Sequence, residues 1–466
     1  MFSPQSKKLT RTLWLAFALM VTNAGIAAAQ SPPLTPATFL AEVLAKGEIY
    51  FAEANADLAT ARARLDRARS NLFPVASLTY EAERYKSTLG SEKDKVDIFG
   101  GVEVVQRIYD FGGTYDQINA ARAGEDAAKL HYEEARNTVL MEALALFYGL
   151  HTSDIRVQAL NQDHASAYVR WDRAKERMAL GKRSSIDVAE KLALVEKSRL
   201  DLHHEQRRNV DLRLRLSDMS GLPFEAEMFN SPKGPNKRPP AIEVEHVQKL
   251  VTGNNPQLKR LAKKLDSLKL EAGASQNLPW IEAYGEVNHY SRHTRTRDEW
   301  AGGARLKWSF MDGGVKSAER ARLNAEVRRT GAELERTRRG LIREARTVLI
   351  DRNNAWQQLI AARAQFDFAQ KSLLQRQRLY EQDRVADLGR AMRDFTHSEV
   401  GVVRAAGNLQ LVDARLAVML GQGLEISLNE NFIIDVLGKE AIDDERSIET
   451  KKGSGFGQED QNKINR

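Results

Sequence analysis

The groups best able to do chemistry in this chain are its histidines, its carboxylates and one glycine-lysine-serine run, and their spacing works against them. His203 and His204 are adjacent. Consecutive residues of a helix point about 100° apart, so the two cannot close on one ion as an i, i+4 pair would. Gly313-Gly314-Val315-Lys316-Ser317 has the outline of a phosphate-binding loop, but Ser309 stands where that loop's first glycine belongs. No Gly-x-Ser-x-Gly elbow is present. The carboxylates are spread along charged helices, with no cleft to raise a pKa for acid–base work. There is no cysteine, which excludes disulfides, thiolate metal sites and a cysteine nucleophile. The chain therefore reads as something other than an enzyme, with no catalytic, cofactor-binding or metal-binding residues.

Charge narrows the partners. Lysine and arginine total 70 against 63 aspartates and glutamates, a net charge of +7. Such a balance describes mixed, solvated helix faces better than a basic stripe, so no nucleic-acid partner is expected. Residues 1–29 read as a signal peptide. Lys7, Lys8 and Arg11 precede an apolar core from Leu13 to Ile26, and Ala27-Ala28-Ala29 follows. That core falls short of the ~20 residues needed to cross a bilayer.

What remains is two copies of one plan, offset by about 200 residues. Ser70-Asn71-Leu72-Phe73-Pro74 answers to Ser275-Gln276-Asn277-Leu278-Pro279, and Tyr109-Asp110-Phe111-Gly112-Gly113 to Phe310-Met311-Asp312-Gly313-Gly314. Met219-Ser220-Gly221 answers to Met419-Leu420-Gly421. The copies span 30–221 and 241–421, and each reads helix, two strands, long helix, shorter helix. Pro74 and Pro279 end helices ahead of strands, while Gly112, Gly113, Gly313 and Gly314 turn strands into helices. No proline interrupts the stretch from Gly113 to Leu180. There Ile118, Ala121, Ala128, Tyr132, Ala135, Val139, Leu146 and Leu150 keep coiled-coil spacing. Gly181 breaks this helix, and Ser184 or Ser185 caps the next. The last helix carries the cleanest seam, Val402, Ala405, Leu409, Val412, Leu416 and Met419. A helix of about 68 residues would be about 100 Å long, too long for a compact core. The two shorter helices of a copy, stacked end to end, would match it. The expected fold is mainly α, a tall barrel of helices, with a small β part.

The strand segments alternate at period two. Ala76, Leu78, Tyr80 and Ala82 oppose Ser77, Thr79, Glu81 and Glu83; Ile281, Ala283, Gly285 and Val287 oppose Glu282, Tyr284, Glu286 and Asn288. In the last strand Leu306, Trp308 and Phe310 alternate with Arg305, Lys307 and Ser309. Alone, this pattern suits a half-buried sheet over a soluble core. Combined with export, the repeat and the helix lengths, it suits membrane strands with lipid outside and water inside. Four strands leave open edges that a bilayer does not tolerate, so subunits must share one barrel. The polar segments Lys86 to Lys95 and Ser291 to Asp298 would be its outward loops.

From about Ala37 to Gly421 the sequence resembles the TolC family of outer-membrane efflux and secretion channels. The resemblance rests on the helix ending in Leu72-Phe73-Pro74, on the run from Val104 to Gly113, and on Arg177-Met178-Ala179-Leu180-Gly181 leading to Ile186-Asp187-Val188. The repeat itself and the final Met-Leu-Gly complete it. It implies a homotrimer whose four strands per subunit build a 12-stranded barrel in the outer membrane of a Gram-negative bacterium, above a helical tunnel in the periplasm. It also implies a periplasmic adaptor, an inner-membrane transporter of ABC, RND or MFS type, and contact with outer-membrane lipid. The chief alternative is a periplasmic adaptor or other coiled-coil interaction protein, but an adaptor has one helical hairpin between β domains and this chain has two.

Family members close the tunnel with the tips of their helix pairs. Gly181 matches the turn of the first tip and Asp187 its acidic position. The second tip, Leu379 to Asp387, lacks the turn glycine. Counting back from Gly421 by the distance from Asp187 to Gly221 gives Asp387 as the aperture candidate, with Asp383 and Arg384 as neighbours. Residues 222–240, rich in proline, read as a linker on the tunnel's outside, and 422–466 as a polar, disordered tail.

Overall fold

A computed structural model describes residues 35–86, 95–222, 234–236, 238, 242–276, 278–291, 298–382, 387–422 and 424. The expected signal peptide, most of the expected linker, most of the two strand–strand loops, Asp383, Arg384 and nearly all of the expected tail lie outside the described residues.

The first copy contains α1 (Pro36–Lys46), α2 (Glu48–Ser70), β1 (Val75–Tyr85), β2 (Lys95–Tyr109), α3 (Gly113–Ala179) and α4 (Ser185–Ser220). The second contains α5 (Val244–Asn254), α6 (Pro256–Ala274), β3 (Trp280–Tyr290), β4 (Trp300–Lys307), α7 (Val315–Glu381) and α8 (Leu388–Met419). Each copy thus runs two helices, two strands, a long helix and a shorter helix. Both long helices have 67 residues, about 100 Å at 1.5 Å per residue. Each copy also opens on an 11-residue helix not anticipated from its sequence. Phe39, Leu40 and Val43 of α1 are buried against Leu144 and Phe147 of α3.

Local chemistry sets the ends of the long helices. Asp110 accepts from the Thr114 backbone N–H at 2.7 Å, and Asp312 accepts from Gly314 and Lys316 at 3.0 Å each. Those backbone donors hold the Asp312 carboxyl below the usual carboxylate range. Gly112 (φ 93) and Gly314 (φ 89) occupy the N-cap positions in left-handed conformation. The turn register from sequence is therefore off by one. Asp110 answers to Asp312, Gly112 to Gly314, and Phe111 (φ 56) to Gly313 (φ 66), while Gly113 is already the first residue of α3. At the other end of α3, Gly181 (φ 69) completes a Schellman turn, with Lys182 N–H on Arg177 O at 2.8 Å and Gly181 N–H on Met178 O at 2.9 Å.

The strands form one antiparallel sheet in the order β1-β2-β3-β4. β4 ends at Lys307, so Trp308 and Phe310 lie beyond the strand to which their alternation assigned them. They form an edge-to-face ring pair 6.2 Å apart.

Nearest the sheet the helices lie in the order α2-α3-α6-α7, and farther away in the order α4-α3-α8-α7. The shorter helices are stacked as expected. Tyr50 of α2 donates a hydrogen bond to Asp218 of α4, which holds the tyrosine hydroxyl up at about 12. Asn255 at the start of α6 donates to Met419 O at the end of α8 at 3.1 Å. The α8 seam is mostly buried, Ala405, Leu409, Leu416 and Met419 fully so. Of the α3 stripe only Ile118 and Leu150 are fully buried. The reason is geometric: α3 changes partners along its length, from α2 and α6 near the sheet to α4 and α8 farther away, so no single stripe is covered throughout.

Candidate functional site

Register determines what each face of the sheet presents. Val102 opposes Leu78 on one side and Val287 on the other, and Val287 opposes Trp300. Ile281 opposes Leu306 on the same face. These side chains point away from the protein: Leu78 is 79% exposed, Val287 65% and Trp300 74%. An apolar face left this open in water would be an aggregation hazard, whereas against lipid it is satisfied. Tyr109, Phe111, Trp308 and Phe310, all exposed, gather where the strands meet the helices. Such a row has the composition of an interfacial aromatic girdle.

The opposite face is polar and more enclosed. Glu282, 6% exposed, receives hydrogen bonds from Arg305, from Lys307 at 2.6 Å and from the Trp280 indole at 3.1 Å. Arg305 reaches Glu103 at 3.0 Å and lies over the Tyr284 ring. Sequence reasoning gave these residues a polar face but no network. The signal was there: charge at every second position on strands that become neighbours. Among the described residues no helix is long and apolar enough to cross a membrane, and none of their side chains gather as a metal cluster.

The helix tips stand at the far end from the sheet. Ser184 caps α4 by accepting from Asp187 N–H at 3.2 Å, and the Asp187 carboxylate pairs with Arg183 of its own turn at 3.3 Å. Asp387 caps α8 by accepting from Arg390 N–H at 3.0 Å, and Arg376 donates to its carbonyl at 3.3 Å. In the helix frame Asp387 thus answers to Ser184, and Arg390 to Asp187. The count from Gly421 missed this because α8 has 32 residues and α4 has 36. Each acid is engaged at its own helix start.

An apolar-backed sheet on paired helical hairpins, duplicated in one chain, is the fold of TolC-like outer-membrane channels. Residues 47–222, within the first copy, match the family model described as outer membrane efflux protein. Among solved structures the fold is similar to the Campylobacter jejuni CmeC outer membrane channel, with a TM-score of 0.70 at 15% identity over 85% of this chain and 90% of that one. It is similar also to the outer membrane protein VceC of Vibrio cholerae, at 0.63 and 15% over 83% and 96%. The open state of the Neisseria gonorrhoeae MtrE outer membrane channel matches at 0.58 and 17% over 84% and 89%. At these identities the likeness is one of fold. No curated protein matches the chain in sequence.

Proposed function

We propose that this chain is one of three identical subunits of an outer-membrane exit duct, serving a tripartite efflux pump or a type I secretion system. The observation that carries this reading is the sheet: four strands, apolar outside and polar inside, with β1 and β4 at its open edges. Backbone donors and acceptors on an open edge cannot stay unpaired in hydrocarbon. Three copies placed edge to edge pair them all and give 12 strands, and the same threefold closes the helices into a tunnel reaching through the periplasm. Residues 1–29 direct export, 222–240 link the two repeats, and 422–466 form a tail. An adaptor and an inner-membrane transporter of ABC, RND or MFS type deliver small molecules or unfolded proteins to the tunnel. Asp187 and Asp387, with Asp383 and Arg384, line the aperture at the helix tips. The work is transport, with no catalytic group and no cofactor.

Purification in detergent followed by native mass measurement is expected to give a trimer, and the same material should conduct ions in a planar bilayer. A monodisperse, non-conducting monomer that fractionates with the inner membrane would overturn the reading in favour of an adaptor.

A further inference from the structure

Away from the sheet, α4, α3, α8 and α7 lie side by side, and a groove of about 580 Å³ crosses the side they share. Its direction follows from what covers the other side. Arg363 of α7 donates to Pro235 O at 2.9 Å and to Gly234 O at 3.2 Å. A Cβ on Gly234 would meet Leu359 and Ala406. Gly234 and Pro235, between the repeats, therefore lie over the face of α8 that carries Ala406. The groove is lined by Arg404 and Asn408 of the same helix, and residues two apart on a helix point about 200° apart. The groove thus opens on the opposite side, the tunnel's inner wall on the reading above, on which this inference rests.

Three arginines line that groove: Arg156 of α3, Arg208 of α4 and Arg404 of α8. One carboxylate answers them. Glu205 lies 3.3 Å from Arg156 and 3.9 Å from Arg208, accepts from Ser153 at 2.8 Å, and is only 6% exposed. Arg404 is exposed and has no ion-pair partner among the described residues. Toward the tips, the next acid on α3, Asp163, is held by His397 at 2.7 Å. The groove therefore carries an excess of positive charge beside Tyr148, Leu411 and a wall of glycine and alanine. A guanidinium presents a planar fork of donors that matches carboxylate, sulfonate or phosphate oxygens. The small side chains beside it leave room for an apolar body, and the volume falls in the range of small-molecule sites.

We propose that this groove is a transit site for amphipathic organic anions, with Arg404 as the leading contact and three copies forming a cationic belt across the tunnel. The test is block of ionic current through the reconstituted full chain by 1-naphthalenesulfonate, compared with the cationic analogue 1-naphthylmethylammonium. The sulfonate should block the parent channel at lower concentration than the ammonium, and less strongly as salt is raised. Arg404→Gln should raise its half-blocking concentration by about fivefold, and Arg404→Lys should retain most of the block. Arg404 is exposed, so neither change threatens the fold. Equal block by the two probes, or an Arg404→Gln channel blocked like the parent, would overturn the belt and leave the duct standing. Protein that never conducts would sink the duct, and the belt with it.

Discussion

Asp187 and Asp387 begin their helices in different ways, and the difference sets what each can lend to a closed tip. Asp187 stands three residues past the cap, so its carboxylate is free to hold Arg183. Asp387 is itself the cap of α8 and receives the Arg390 N–H. Losing a cap costs about 1 kcal/mol, so an alanine at position 387 would mix a folding defect with any effect on gating. Asparagine caps as well as aspartate while removing the charge. The paired substitution Asp187→Asn and Asp387→Asn should therefore keep both helices and change only electrostatics. Charges about 4 Å apart interact by about 1 kcal/mol in water and about 4 kcal/mol at an effective dielectric of 20, so a few such links on a threefold axis can hold a tip shut. Single-channel conductance in planar bilayers is expected to rise in the double variant, and cells carrying it should become more sensitive to vancomycin. If the acids instead form an unpaired ring, cation selectivity falls at constant conductance. No change in either quantity would put the aperture at other residues.

Among the elements, the joints between stacked helices govern the architecture. Gly421 follows α8 at φ 75, and a Cβ there would lie 2.4 Å from the Asn254 carbonyl oxygen. Gly421→Ala should lower stability by about 2 kcal/mol through backbone strain, with the close approach adding to it. Gly253, one residue before Asn254, has open space around it and an ordinary φ, so Gly253→Ala should be neutral or mildly stabilising. Thermal unfolding of the two variants in detergent separates the joint from the helix. The α6–α8 joint would be refuted if both lost stability alike. The long helices are legible in the sequence because proline is absent and apolar residues recur over many turns. The sheet faces are legible because period two runs through β1 and β3. The joints could be expected from helix lengths, but not their atoms, since Asn255 meets Met419 across 164 residues. The helix α1 carries its own signature, Thr35 and Thr38 capping each other on either side of Pro36, yet 11 residues hold too few turns to reveal a stripe. The one-residue slip between the strand–helix turns arose because Phe111 holds a left-handed conformation that the second copy gives to Gly313. Identical-looking glycine pairs therefore do different jobs.

For the molecule as a whole, the central pairing of the sheet has a consequence in time. β2 and β3 meet although Ile98 and Ser291, which are hydrogen-bonded between them, are 193 residues apart. Closing a loop of that length costs about 2.5–3 kcal/mol more chain entropy than closing a ten-residue hairpin. Contacts so distant in sequence form slowly unless something shortens the path. The helices supply the shortcut: α3 turns back at Gly181 into α4, α7 packs along α8, and each pair needs only local contacts. Once α3 lies against α6, the ends of β2 and β3 are already close. The order of assembly should therefore run from tunnel to sheet, so that the apolar outer face is completed last, when a membrane is at hand to receive it. Pulse-labelling hydrogen exchange during refolding into detergent should find α3 and α8 protected before residues 98–109 and 280–290. Protection of the strands ahead of the helices would mean that the sheet, and not the tunnel, organises the fold.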